Sequence, residues 1–361
     1  MIASTPRRIG ISLGNLGNLQ DGLGEFAIQI GHAVAAAAPR WREHDDIAFD
    51  FHLRGDFVGL FGTDVGYLPV HRWQRWRHVQ PQRHAIWHSL HQLNKNLPPA
   101  DAGKRLVTVH DLNYLYGSNA WSRWRKQRRA EAMMRRTDLV VAISQYTAAD
   151  VRRHLGWNGA MEVILRGARP FAGTAQEPLP GWQADDTRPF LFHLSRMSAS
   201  KNPGAIVELA RSWPEMKFVF CGPEGADSRE LRDSVKLPNV EFHLSINDAQ
   251  KAWAFAHCAG FLFPSWTEGF GLPPIEAMQF GRPVFLSRLT SLPEIGGDAA
   301  EYFDDFAPVS MRRVVEQGLQ RHRDEPGRAA AIRRHAARFD ADRAADEYLA
   351  LYRRLLGLAP A

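Results

Sequence analysis

Two acidic residues in the second half of the chain stand eight positions apart and enclose a turn rich in Gly and Pro. The stretch reads PSWTEGFGLPPIEAMQFGRPV, spans 264–284 and carries Glu268 and Glu276. Gly269 and Gly271 let main-chain amides approach a ligand closely, and the following Pro pair is typical of a helix start. A helix N-terminus attracts anions, above all phosphate. We expect Glu276 in its first turn, where it can accept bonds from ribose hydroxyls, while Glu268 can accept bonds from sugar hydroxyls.

The elements that position this loop follow from alternating short apolar segments and helical patterns. Strands that alternate with helices imply parallel sheets covered on both faces. Ligands of such sheets bind outside the carboxyl ends of the strands. We therefore predict an α/β fold of two doubly wound domains with a cleft between them. The predicted strands are 8–13, 47–53, 86–90, 105–111, 139–144, 161–167, 190–195, 216–222, 240–246, 260–265 and 283–287.

The composition changes between the two series of strands. Residues 169–190 are rich in Pro, Gly and polar side chains and show no period, which is typical of a linker. The predicted division is an N-terminal Rossmann-like domain over 1–170 and a linker over 171–189. A C-terminal Rossmann-like domain follows over 190–340, and a last helix over 341–361 is expected to pack back on the first domain.

Charge and composition narrow the class of protein. The 361 residues hold 45 Lys and Arg against 39 Asp and Glu, a net charge of +6, which either favours anionic partners or only aids solubility. Two cysteines, Cys221 and Cys258, make no disulfide framework and suit a reducing cytoplasm. No apolar stretch reaches the roughly 18 residues of a membrane span, and the first apolar run is too short for a signal peptide. We expect a cytoplasmic protein.

The string EGFGLPPIEAM resembles the E-x7-E signature of the retaining glycosyltransferases of family 4, which have the GT-B fold. The surrounding segment 264–287 follows the family pattern almost end to end, and SLPEIGGDAAEYFD (291–304) resembles what comes next. The resemblance covers most of the second domain but only short motifs of the first. It implies two Rossmann-like domains that face a deep interdomain cleft. The first binds the acceptor and the second binds the nucleotide-sugar donor. Residues 70–99 match no part of the family pattern.

A loop after the strand at 190–195 holds two cations, Arg196 and Lys201. Two cations in one strand-to-helix loop can hold a diphosphate and stabilise it as it leaves. Such a pair is also common in solvated loops. The resemblance favours binding, because the family has an Arg and a Lys in the corresponding loop. Ser195 stands where the family usually has Gly. With these cations present, no metal ion and no cofactor is expected.

The first domain offers two further motifs. VTVHDLNYL (107–115) places His110 and Asp111 at the end of a strand. The resemblance implies that His110 reaches the donor sugar as a positioning group, with Asp111 orienting it. The turn GNLGNLQDGLG (14–24) places Gly22 and Gly24 before the first helix. In the family a glycine loop at this position faces the diphosphate and the acceptor.

The resemblance implies a mechanism in which Arg196 and Lys201 hold the leaving diphosphate. The main-chain amides of Phe270, Gly271 and Leu272 help to hold it. Glu276 holds the ribose, while Glu268 and His110 hold the sugar. The acceptor hydroxyl attacks the sugar on the same face from which the leaving group departs. The configuration of the sugar at the reacting carbon is therefore retained. The predicted activity is transfer of a hexose from a GDP-mannose or UDP-glucose type donor to a cell-surface glycan, lipopolysaccharide or lipid-linked acceptor.

A basic, aromatic segment runs from Trp121 to Arg136, and HRWQRWRH (71–78) has a similar composition. Basic helices with tryptophan suit an anionic membrane surface or an anionic lipid-linked acceptor, although a solvated helix face explains them equally well. The predicted location is the cytoplasm, with peripheral contact at the inner face of a bacterial inner membrane. No recognition motif indicates nucleic acid.

Two alternative classes remain open from the sequence. A nucleotide-sugar 2-epimerase or a phosphorylase shares this fold, and an inactive homologue would bind a nucleotide without turnover. The intact acid-loop-acid string argues against the first, and the full set of charged motif residues argues against the second. The donor, the acceptor, the linkage and the oligomeric state are not determined by the sequence.

Overall fold

The computed structural model describes residues 6–13, 17, 22–117, 119–183 and 188–359. The chain divides into two compact units, of which the first comprises Met1–Gly167 with Ala341–Ala361 and the second comprises Ala168–Asp340. Each unit is a parallel sheet with helices, so the α/β prediction is confirmed. Most of the glycine turn predicted at 14–24 lies outside the described residues. None of the described helices is long and apolar enough to cross a membrane.

The sheet of the first unit has the strand order β3-β2-β1-β4-β5-β6-β7. Strands β2 and β4 are buried along their length, as expected when helices cover both faces of a parallel sheet. The sequence pattern missed the short β3. The bounds are β1 Arg7–Ser12, β2 Ile47–Leu53, β3 Gly66–Pro69, β4 Ile86–Ser89, β5 Lys104–Val109, β6 Leu139–Ala142 and β7 Ala160–Val163.

The helices of the first unit include the last helix of the chain. Its Tyr348 and Tyr352 are buried in the core that helix α1 and strands β1 and β2 also form. Both hydroxyls reach the sheet, Tyr348 at 3.1 Å from Thr108 Oγ1 and Tyr352 at 2.6 Å from His88 Nδ1. This helix is thus an integral part of the first unit. The bounds are α1 Gly22–Asp45, α2 Tyr114–Gly117, α3 Ala120–Met134, α4 Gln145–Leu155 and α12 Ala341–Leu355.

The sheet of the second unit has the order β10-β9-β8-β11-β12-β13. Strand β9 ends at Gly222, where an added Cβ would lie 1.9 Å from the carbonyl oxygen of Ser195. Only glycine fits there, because the loop after β8 crosses the end of β9. The bounds are β8 Phe190–Leu194, β9 Lys217–Gly222, β10 Val240–Leu244, β11 Gly260–Phe263, β12 Val284–Ser287 and β13 Glu301–Phe303.

The segment predicted as a linker belongs in its described part to the second unit. Phe171 is fully buried against Phe255 and Phe280, and its main-chain N–H donates to Gln279 at 2.6 Å. An apolar anchor of this kind has no sequence period. The helices of this unit are α5 Pro203–Ser212, α6 Ala226–Ser234, α7 Asp248–His257, α8 Leu272–Gln279, α9 Leu292–Gly296, α10 Pro308–Asp324 and α11 Arg328–Ala336.

Candidate active site

The two charged loops of the second unit start at the point where the strand order of the sheet reverses. The chain builds β8, β9 and β10 outward on one side and then returns to add β11 on the other side of β8. Ligands of open α/β sheets bind at such a switch point, outside the carboxyl ends of the strands. The loop after β8 carries Arg196 and Lys201, and the loop after β11 carries Glu268.

Lys201 and Glu268 contact each other directly. Lys201 Nζ lies 2.5 Å from Glu268 Oε1, and the two side chains are 17% and 11% exposed. The main-chain N–H of Trp266 donates to the carbonyl of Ser200 at 2.8 Å and joins the same two loops. The Glu268 N–H donates to Thr290 Oγ1 at 3.1 Å. The loops therefore form one charged structure, a pairing that the sequence analysis did not foresee.

Ser195 replaces the usual glycine without loss of local order. Burial lowers the pKa of His193 to about 4, so this ring is neutral. Its Nδ1–H donates to the carbonyl of Leu262 at 2.9 Å, which leaves Nε2 to accept from the Ser195 hydroxyl at 2.8 Å. The same hydroxyl accepts from the N–H of Met197 at 2.9 Å. The serine thus fixes the start of the cationic loop.

Arg196 differs from Lys201 in its surroundings. Its side chain is exposed, and within the described ranges it has no hydrogen-bond or ion-pair partner. A guanidinium in this state at a switch point can bind an oxyanion with two parallel bonds. The role predicted for Arg196 is therefore sterically and electrostatically feasible.

Glu276 lies deeper than the sequence analysis predicted. Helix α8 begins at Leu272, so Glu276 is its fifth residue and lies beyond the first turn. The residue is 5% exposed, and its Oε1 is 3.1 Å from Lys251 Nζ. The ammonium of Lys251 also lies 4.3 Å from the centre of the Phe171 ring. Glu276 is thus a buried, paired carboxylate, and Lys251 is a site neighbour that no sequence motif indicated.

The N-terminus of α8 offers fewer donors than an ordinary helix. Gly271 caps it with φ 115°, a left-handed conformation that favours glycine. Of the first N–H positions, Pro273 and Pro274 have no proton to donate. An anion at this end can therefore bind only the amides before them, those of Gly271 and Leu272. Gly269 and Phe270 of the predicted set are buried in the preceding loop.

His110 in the first unit follows β5 and is a neutral acceptor. It is 2% exposed, and its pKa lies well below the usual value because of burial, then the charges of His91 and Arg166. Nε2 is 2.9 Å from the carbonyl of Leu90, so Nε2 carries the proton and donates. Nδ1 is buried without a partner among the described atoms. It can accept a hydrogen bond from a hydroxyl of a ligand.

Asp111 and Gln92 shape the turn around His110. The Asp111 carboxylate accepts from the N–H of Asn113 at 3.0 Å, and its carbonyl accepts from Gln92 Nε2 at 2.5 Å. Gln92 Oε1 in turn accepts from the N–H of His110 at 3.3 Å. The orientation predicted to come from Asp111 is thus supplied to the ring by the carbonyl of Leu90. Gln92 lies in the region 70–99, which matches no part of the family pattern.

Gly22 and Gly24 lie inside helix α1 and not before it. The helix begins at Gly22, whose carbonyl accepts a hydrogen bond from Arg166. A Cβ on Gly22 would lie 3.3 Å from Arg166 Nη1, so the glycine allows this close approach. Arg166 is the residue that replaces the Asn often found in the family.

Among the described residues, no cluster of three or more His, Cys, Asp and Glu side chains could hold a metal ion. The expectation that the reaction needs no metal stays a prediction, which nucleotide binding in the presence of a chelator can test.

Family models match both units of the chain. A model described as "Glycosyltransferase Family 4" matches residues 22–170, and one described as "Glycosyl transferases group 1" matches 177–305. The chain belongs to the group 1, family 4 glycosyltransferases and has the two-domain Rossmann-like GT-B fold.

Three particular proteins show what this chain is similar to. It is 47% identical over 205 residues to the serotype-specific mannosyltransferase WbdA of Escherichia coli, a match that covers 52% of this chain and 25% of that protein. It is 38% identical over 92 residues to O-antigen chain mannosyltransferase B of Escherichia coli, covering 26% and 23%. Anabaena HepE, solved with UDP-glucose, has a TM-score of 0.68 at 17% identity and covers 97% of this chain and 100% of that one. The chain spans about a quarter of the WbdA relative.

Proposed function

We propose that this protein is a retaining hexosyltransferase that uses a nucleoside diphosphate sugar and adds the hexose to a glycan hydroxyl. One observation carries the proposal. The guanidinium of Arg196, which has no partner among the described residues, and the Lys201–Glu268 pair lie on two loops at the switch point of the second unit. Membership of a glycosyltransferase family supports it. The names of two relatives favour mannose as the sugar and an O-antigen or other lipopolysaccharide glycan as the acceptor.

The proposed roles divide the charged residues by the part of the donor that they bind. Arg196 and Lys201 bind the diphosphate, with the amides of Gly271 and Leu272, and stabilise the charge that develops as it leaves. Glu276 accepts from the ribose. A phosphate between the two cations would draw Lys201 toward itself, because a diphosphate carries more charge than one carboxylate. Glu268 would then accept from hydroxyls of the sugar.

His110 has the protonation state that a positioning group for a sugar needs. Its neutral ring presents an unprotonated Nδ1, which can accept from a sugar hydroxyl but cannot donate a proton. The acceptor hydroxyl attacks on the face that the diphosphate leaves, and the configuration is retained. The relatives are transferases by name, which favours transfer over the epimerase and phosphorylase alternatives.

The first test is equilibrium binding of nucleotides. UDP, GDP, dTDP and CMP are compared by thermal shift, each with and without EDTA. We expect one diphosphate to stabilise the protein by about 2.7 kcal/mol at 100 times its Kd, equally in chelator. No shift with any nucleotide would favour the inactive-homologue alternative. A shift that EDTA abolishes would contradict the metal-free site.

Variants of Glu276 then test the ribose assignment within the same assay. Glu276→Gln keeps the volume of the side chain and removes its charge. We therefore expect at least a tenfold loss of affinity for the nucleotide that stabilises the wild-type protein most. Glu230→Gln, at an exposed position of α6, is the matched control and should bind normally. If Lys251→Met weakens binding as much as Glu276→Gln, the pair acts only as a structural support. An unchanged affinity in Glu276→Gln rejects the assignment outright.

We further propose that the first unit contacts an anionic lipid surface. Trp121 and Trp124 of α3 are 65% and 60% exposed, and Trp76 of the 71–78 segment is 80% exposed. Burial lowers the pKa of Arg129 in α3, and the charges of Arg125 and Arg75 lower it further, so Arg75 of the 71–78 segment lies near α3. Exposed tryptophans with basic residues nearby are the composition that membrane interfaces attract.

Vesicle flotation tests this surface. We expect the protein to float with vesicles containing phosphatidylglycerol and to remain below with pure phosphatidylcholine. Arg123→Ser, Arg125→Ser and Arg128→Ser combined should abolish flotation, because each basic residue contributes about 1 kcal/mol near an anionic surface. A matched triple at exposed arginines of the second unit removes the same charge and should float normally: Arg313→Ser, Arg323→Ser and Arg334→Ser. Equal behaviour of the two triples would contradict a specific surface.

A further inference from the structure

A depression of about 440 Å³ lies in the second unit beside the candidate donor loop. Its volume falls within the range of small-molecule sites, about 300–1,000 Å³. Most of the side chains that line the depression come from the three loops after β11, β12 and β13. They are Trp266, Arg288, Leu289, Asp304, Asp305 and Phe306.

The depression shares a loop with the charged candidate site. Trp266 stands two positions before Glu268 in the same loop, and its N–H bonds to the carbonyl of Ser200, the residue before Lys201. The three strands that supply the lining are neighbours in the sheet, and all present their carboxyl ends here. A molecule in the depression would therefore extend along the same sheet edge as the donor residues.

The apolar part is formed by three rings, those of Trp266, Phe303 and Phe306, and by the side chain of Leu289. Trp266 is 48% exposed and Leu289 is 37% exposed, which is unusual for large apolar residues beside a charged site. The ring of Phe306 meets that of Trp266 edge to face at 4.6 Å and holds it in place. The result is a fixed aromatic platform that remains open to solvent.

Charged groups surround the platform and bond to one another or to the main chain. Arg288 donates to Asp304 Oδ1 at 3.0 Å and lies 4.7 Å from the centre of the Tyr302 ring. Asp305 accepts from the N–H of Ala307 at 2.9 Å. Two carboxylates against one guanidinium make this lining unfavourable for a phosphate or an anionic lipid. They suit a neutral ligand that has many hydroxyls, which carboxylates accept from and a guanidinium donates to.

We propose that this depression is a glycan subsite that binds sugar units of the acceptor chain beyond the one that reacts. A pyranose ring has an apolar face that can lie on Trp266 and a rim of hydroxyls that can bond to Arg288, Asp304 and Asp305. The inference rests on the proposed function, since it assumes a glycan acceptor. It adds that acceptors are recognised along their length by the second unit.

Binding of sugars without turnover tests the subsite separately from catalysis. Mannose oligosaccharides of one to six units are titrated into the full-length chain by calorimetry, with malto-oligosaccharides of the same lengths beside them. We expect affinity to rise with chain length for the mannose series. Trp266→Ala should weaken binding of the longer oligosaccharides at least tenfold and leave the Kd of the nucleotide unchanged. Trp157→Ala, at a partly exposed tryptophan of the first unit outside both proposed surfaces, is the matched control and should bind as the wild type does.

Because Trp266 is half-buried, its replacement could weaken sugar binding by disturbing the fold. A second variant at an exposed residue controls for this effect. Asp304→Asn changes an exposed side chain and should weaken the same oligosaccharides at least threefold. Wild-type protein that binds no oligosaccharide at 10 mM, or tryptophan and aspartate variants that bind as tightly as wild type, would overturn the subsite. Transfer that proceeds normally in both variants with long acceptors would also overturn it while leaving the proposed function intact. Loss of nucleotide binding in the wild type would instead reject the proposed function.

Discussion

Replacing Lys201 with alanine should lower the rate of sugar transfer by about 100- to 1,000-fold, the usual effect of removing one group that stabilises charge in a transition state. Lys201 lies on the loop where a diphosphate is proposed to leave, and only Arg196 would remain there. The change also strips Glu268, an 8% exposed residue, of the cation 2.5 Å from its carboxylate. An unpaired carboxylate at that depth should cost about 1–3 kcal/mol of stability. Transfer rates and urea unfolding measure the two effects separately.

A double variant separates stability from catalysis. Lys201→Met with Glu268→Gln removes both charges and leaves none unpaired, so we expect most of the lost stability to return. Transfer should stay as low as in the worse single variant, since both groups are proposed to act on the donor. Recovery of activity together with stability would show that the pair is only structural.

The pair Lys217–Glu241 provides the control in the same unit. Its Nζ to Oε1 distance is 2.8 Å, and Lys217 starts β9 at the end of the strand opposite to the site. Lys217→Met with Glu241→Gln should alter stability without altering transfer per folded molecule. Slow transfer in this control would mean that any loss of charge in the unit impairs activity. The proposed role of Lys201 at the leaving diphosphate would then be rejected.

The sequence could place the charged loops because their signals are local. Apolar runs of five to seven residues marked most of the strands, and each cation or acid lay in the loop that follows a strand. Carboxyl ends of parallel strands share one edge, so Arg196, Lys201 and Glu268 could be assigned to the same edge without coordinates. The α/β class and the family followed from the same strings.

The partners of the site residues could not be predicted, because they are distant along the chain. Lys251 pairs with Glu276 across 25 positions, and a single lysine in helix α7 is indistinguishable from a solvated one. The depth of Glu276 depended on whether α8 begins before or at the prolines, a difference that sequence patterns seldom resolve. Phe171 likewise looked like part of a linker, because one buried ring leaves no period.

Region 70–99 matched no part of the family pattern, and much of it buries polar side chains. His84 bonds to Asp50 at 3.0 Å, and His88 bonds to Tyr352 and Thr108. The apolar pattern predicted the strand at 86–90, but it could not show that the histidines in and before this strand are buried, because periodicity detects apolar faces only. Their hydrogen bonds satisfy them, as burial of polar groups requires. His88, together with His52 of β2, makes the stability of the first unit depend on pH.

Acidification from pH 7 to pH 5 should destabilise the first unit strongly. Burial lowers the pKa of His52 to about 3, with the charge of His78 as a smaller cause, and burial alone lowers that of His88 to about 3. In the unfolded chain both titrate near 6.5. Below about pH 6.5 these histidines bind protons in the unfolded chain but stay neutral in the folded unit. The free energy of unfolding therefore falls from about pH 6.5 downward, until the pKa of the folded histidines is reached. Each such histidine costs about 1.4 kcal/mol per pH unit in this window.

The variant His52→Gln isolates one histidine. In the wild type, His52 accepts from Ser12 and donates to Gln74, each at 3.0 Å, and glutamine can make neutral bonds of the same kind. We expect the variant to be less stable than wild type at pH 7, and this deficit should shrink by about 2 kcal/mol at pH 5, because the glutamine binds no proton. His44→Gln, at an exposed position of α1, should show no such change. Urea unfolding at half-unit pH steps measures the difference. A deficit that stays constant from pH 7 to pH 5 would show that His52 titrates in the folded unit as it does in the unfolded chain.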